Sequence, residues 1–98
     1  MKIASAKWDG KHSIALLEYE FDGDWYLEMS ASLQDILGLT PDSEPDGGDE
    51  SITSSFSSKR GRVLFFIDNA GCYLAFETEI ARNEAMIKVV TQLDWELS

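Results

Sequence analysis

Cysteine and histidine are almost missing from this chain. Cys72 and His12 stand alone in 98 residues. A single cysteine cannot close an internal disulfide, and one of each cannot supply the four ligands of a structural zinc site. A Cys–His nucleophile pair would need the two side chains adjacent, with a third group to orient the imidazole, and nothing local joins them. No apolar run approaches the roughly 20 residues that cross a bilayer. The opening residues, Met1 to Trp8, lack the apolar core of a secretory leader. There is no Gly-rich phosphate loop and no G-x-S-x-G. These absences remove disulfide scaffolds, membrane spans and the commonest catalytic signatures. They lead to the expectation of a reducing compartment, most simply a cytoplasm, with no cofactor, no metal and no enzymatic activity.

Positive charge is the other scarcity. Eight Lys and Arg face eighteen Asp and Glu, for a formal net charge of -10. From His12 to Ser58 there is no base, yet that stretch holds eleven acids. The rest of the chain is close to neutral. The sign of the field argues against free nucleic acid and against an anionic membrane surface, and it favours a basic protein partner. The basic cluster Lys59-Arg60-Gly61-Arg62 is too small to reverse that expectation.

What is present points to a folded domain. Apolar residues make up 44% and aromatics 11%, which separates the chain from disordered acidic tails. One α+β, mostly β domain is expected over 1–98, with about six antiparallel strands built from hairpins. Asp9-Gly10-Lys11 separates 2–8 from 12–21, and Asp-Gly between apolar runs signals a hairpin. Asp22-Gly23-Asp24 suggests a second hairpin, 12–21 with 25–31. A three-residue loop would set Phe21 against Trp25, Tyr19 against Leu27 and Leu17 against Met29. One short helix is expected near 31–38, capped by Ser30 or Ser32 and ended by Gly38. Residues 40–61, rich in Ser, Asp, Gly and Pro, read as a long flexible insert between two β-rich halves, 1–39 and 62–98. Strands 62–68 and 72–76 are apolar on both faces and should be central. Residues 87–97 alternate as a strand, with a tight turn near Arg82-Asn83 setting Phe76 against Val89. Met86, Val89, Val90, Leu93 and Leu97 also fit a helix.

The candidate site follows from the second hairpin. Its outward face would carry Glu18, Glu20, Tyr26 and Glu28, with Asp22 and Asp24 at the tip. Glu18 opposite Glu28 would be a local electrostatic cost with no packing gain, as functional sites often show. Tyr26, with Trp8 near it, would supply aromatic anchors. A calcium loop over Asp42, Glu44, Asp46, Gly47, Glu50 and Thr53 fails the spacing test, since Thr53 stands where a bidentate Glu is required.

In size and acidity the chain resembles small bacterial immunity proteins, without a defined residue pattern behind the likeness. That resemblance implies a non-enzymatic inhibitor that binds and neutralises a cognate toxin, a nuclease domain first among them. A second reading is a nucleic-acid mimic that blocks a bacterial defence enzyme, of the anti-restriction or anti-CRISPR kind. A third is a structural or oligomeric interaction module, with a homodimer as its simplest form.

Overall fold

The computed structural model describes residues 1–98 except Asp49; of Trp8 only the backbone is described. The expected α+β class holds. The sheet has eight strands, where about six were expected, and two helices lie on one face of it. The sheet runs β3(Thr40–Pro41), β5(Ser51–Ser58), β6(Gly61–Asp68), β7(Cys72–Phe76), β2(Lys11–Leu16), β1(Lys2–Trp8), β8(Glu96–Leu97), with β4(Asp46–Gly47) also pairing β5. All pairings are antiparallel except β1 with β8. The strands 62–68 and 72–76 are indeed central.

The Asp9-Gly10 hairpin forms as read. Asp9 (φ 52°) and Gly10 (φ 75°) both take positive φ, and β1 pairs β2 from Trp8↔Lys11 to Ile3↔Leu16. The second hairpin does not form. Residues Gly23–Leu37 are a helix, α1. Asp22, expected in a turn, caps it: its side chain accepts the Asp24 N–H at 3.0 Å. Tyr26, Ser30 and Leu33 then fall at helical spacing and are all buried. The expected end of the helix at Gly38 is correct. Gly38 sits at φ 64°, ψ 46°, and its N–H returns to the Gln34 carbonyl.

Residues 40–61 are not one insert. They contain β3, β4 and the eight-residue β5, whose partners on β6 run from Ser51↔Asp68 to Ser58↔Gly61. Its inward side chains are Ile52, Ser54 and Phe56. The small Ser54 leaves room for the Tyr26 ring, which stacks on Phe65 at 4.6 Å. The Tyr26 hydroxyl donates to the Phe65 carbonyl at 2.8 Å and accepts from the Ser54 hydroxyl at 2.6 Å. Burial pushes the Tyr26 phenol up to about 12.

The C-terminal hairpin is also replaced. Glu79–Gln92 is a helix, α2, capped by Thr78, whose hydroxyl accepts the Ala81 N–H at 3.1 Å. Ala81, Ala85 and Val89, four residues apart, are its buried line. Two alanines let the helix lie close to the sheet, and that close approach decides against the alternating strand. Phe76 therefore pairs with His12 and Val63, not with Val89. Only Glu96–Leu97 stays extended, as β8. The core lies between the helices and the inner sheet face, centred on Ile14, Tyr26, Phe65, Leu74 and Val89, all fully buried.

Candidate functional site

Topology sorts the charges more sharply than the sequence does. The β1–β2 turn, the β5–β6 turn and the end of β7 lie together, because His12 and Val63 both pair Phe76. That end carries Lys7, Lys11, Lys59, Arg60 and Arg62, five of the eight bases. The opposite end gathers the start of β1, the 17–22 loop, the β6–β7 turn and the chain after α2, as Ile3↔Leu16, Ile67↔Cys72 and Lys2↔Glu96 require. Glu18, Glu20, Asp22, Asp24, Asp68, Asp94 and Glu96 are all there, against Lys2 and the terminal amine. Asp9, Asp42, Glu77, Glu79 and Glu84 lie among those five bases, so that end is mixed in charge while the opposite end is strongly acidic; α1 runs from the acidic end to the mixed end and α2 back.

The expected contact residues are only partly brought together. Glu18, Glu20, Asp22, Asp24 and Glu28 are exposed. Glu18 accepts the Lys2 N–H at 2.9 Å and lies 3.5 Å from the N-terminal amine. Glu28 is not opposite Glu18; it lies on α1, one turn beyond Asp24. Tyr26 is 0% exposed and is a core residue, so it offers no surface to a partner. The Trp8 side chain lies outside the description.

The surface that does form is a helix stripe. Asp24, Glu28 and Asp35 are exposed at spacings of four and seven, opposite the buried Tyr26 and Leu33. No base occurs anywhere in α1. Asp24 and Glu28 repel at i,i+4, and Asp35 sits at the negative end of the helix dipole. Each is a small local cost that a cationic partner would relieve. Leu27 beside the stripe is 56% exposed, and Phe21, just before the helix, is 39% exposed. The sequence could have yielded this stripe, since 24, 28 and 35 share a helical face once Asp22 is read as a cap.

The remaining candidates separate. Cys72 is buried on the inner face, where desolvation pushes its thiol up to about 12. His12 pairs Phe76, four residues along β7 from Cys72, which is roughly 13 Å. Asp42 accepts from the Ser55 and Ser57 hydroxyls, which hold its carboxyl below the ordinary value, and Arg62 lies 3.9 Å away. Asp46 and Thr53 are ladder partners of β4 and β5 and do not encircle a central point. Among the described residues no group of three His, Cys, Asp or Glu could hold a metal ion. Among the described residues no helix is long and apolar enough to cross a membrane. No protein-family model, curated protein or solved structure matches this chain.

Proposed function

We propose that this chain is a non-enzymatic inhibitor that binds a basic protein, with the exposed stripe of α1 and the 17–22 loop as its contact surface. The partner class is a toxin with a positively charged cleft, a nuclease domain being the type whose substrate demands such a cleft. One observation carries the reading: Asp24, Glu28 and Asp35 line one exposed face of a helix that contains no base. Glu18, Glu20 and Asp22 extend that field across the acidic pole, and the exposed Leu27 and Phe21 supply apolar contact beside it. Acidic groups so arranged speed encounter with a cation-rich surface, while the apolar pair slows release.

The test is capture of the product of the adjacent gene by tagged protein, and protection of cells that express that product. Wild-type protein should capture one basic protein at one to one and protect the cells. Asp24→Lys with Glu28→Lys should abolish both. Asp94→Lys with Glu96→Lys, at the same pole but off the stripe, should leave capture in place. Raising salt should slow association about tenfold or more and change release little. Undiminished binding by the α1 reversal would sink the assignment.

A second reading, an oligomeric module, has its own observation. The outer sheet face, with Leu64, Phe66 and Tyr73 half-buried, carries neither helix. Sedimentation at micromolar concentration separates the two readings, since the module should run as a homodimer without any second protein.

A further inference from the structure

We propose that the groove between the end of α1, the first half of α2 and the β5–β6 turn binds a small amphipathic monocarboxylate, an apolar chain or ring carrying a single carboxylate. The groove has a volume of about 430 Å³, within the range of small-molecule sites. Its floor is apolar. Leu37 closes it at the end of α1, Val63 and Phe76 come up from the inner sheet face, and Ala81 and Ala85 form the α2 wall. The alanines, one turn apart, present only short, largely buried side chains to the groove, so a larger side chain at either position would enter it or push α2 off the sheet.

The mouth is cationic in a protein of net charge -10. Lys59, Arg60 and Lys88 stand around it with one acid, Glu84. Arg60 is already held by Glu84 through a two-pronged pair, Nε–Oε2 at 3.1 Å and Nη2–Oε1 at 2.8 Å. That pair ties the β5–β6 turn to α2 and fixes one wall of the groove. Lys59 and Lys88 have no ion-pair partner among the described residues. Two unmatched ammonium groups above an apolar floor suit one carboxylate with an apolar body. The lysines orient the head, and the floor removes the tail from water. A polyanion would leave most of the floor unused and would meet the Glu84 carboxylate. The groove is lined by Leu37 and Gly38 and not by Asp24, Glu28 or Asp35, so it does not depend on the surface proposed for the protein partner.

The test is a titration of the full chain, isotopically labelled for amide NMR, with three probes: sodium octanoate, octan-1-ol and sodium acetate. Octanoate should shift the amides of Gly38, Lys59 and Ala85 and saturate in the range of about 0.1–1 mM. Lys59→Ala with Lys88→Ala should weaken octanoate about tenfold and leave octanol within about twofold. Ala85→Leu should abolish both; because it could also disturb packing, its urea midpoint is measured alongside, and the exposed lysine pair provides the independent variant. Equal affinity for octanol and octanoate would overturn the carboxylate. Acetate binding as well as octanoate would overturn the apolar half. Shifts confined to the outer face around Leu64 and Arg62, or no saturation by about 10 mM, would overturn the site.

Discussion

Tyr26→Phe removes one oxygen atom and distinguishes the observed helix from the hairpin that the sequence suggests. In the structure that oxygen donates to the Phe65 carbonyl and accepts from Ser54, and both Tyr26 and Ser54 are buried. The Phe ring can keep the stacking on Phe65. The variant therefore loses two hydrogen bonds worth about 1 kcal/mol each and leaves the Ser54 hydroxyl buried without a partner, for a total of about 2–3 kcal/mol. Urea unfolding should show a lower midpoint with an unchanged slope, and Tm should fall by about 10–20 °C. Ser54→Ala should cost about 1 kcal/mol, because the Tyr26 hydroxyl keeps its bond to Phe65. The double variant should cost about 1 kcal/mol less than the sum, since the unpaired serine is gone. A Tyr26→Phe loss within about 0.5 kcal/mol of zero would mean that the hydroxyl is in water. The 22–31 segment would then be extended, and the α1 stripe would not exist.

Alkaline pH tests the same core from another side. Tyr26 rises from 10.0 to about 12 and Cys72 from 9.0 to about 12 on folding. Between those values the unfolded chain has released protons that the folded chain still holds, so these two groups make no contribution near neutrality and should lower the urea midpoint steadily from pH 9 towards pH 12. Tyr26→Phe should remove the Tyr26 part of that fall. A thiol reagent at pH 8 should label Cys72 only as fast as the protein opens, and rapid native labelling would contradict its 1% exposure. Gly38→Ala should cost about 1 kcal/mol in urea unfolding, because only the left-handed backbone opposes it and no atom lies within 4 Å of the added methyl. Gly23→Ala, in the first turn of α1 with ordinary φ, should instead stabilise by about 0.5 kcal/mol.

The parts of the fold legible in the sequence were those set by turn chemistry. Asp9-Gly10 marks a hairpin because few other residues tolerate its positive φ. Gly38 ends its helix for the same reason. What escaped was set by partners distant along the chain. Asp22-Gly23-Asp24 serves a turn or a helix start equally well, and Tyr26 selects the helix only because Ser54 and Phe65 lie beneath it. Residues 51–58 look like a linker because β5 needs only Ile52 and Phe56 on its inner side, with the serine between them small by necessity. Residues 87–97 carry both periods; the strand pattern is the more regular, but most of them continue a helix begun at Glu79, whose Ala81–Ala85 line fits the sheet. The acid-rich stretch was plain in composition. Its arrangement on a helix stripe was not, because it follows from the helix assignment.

The two poles change what the net charge means. Strands of eight residues separate them by roughly 25 Å, and charge is screened over about 8 Å in physiological salt. A molecule approaching one pole therefore scarcely senses the other. The value of -10 is not a field that any visitor meets. A cation-rich surface far off instead exerts a torque that turns the acidic end towards it before any atoms touch. A small anion meets only the two unpaired lysines of the groove mouth at the other end of the same acidic protein. On an anion-exchange column the chain should bind by its acidic end, and a charge reversal there should shorten retention more than one at the other end, as a pI near 4.3 and uneven charge require.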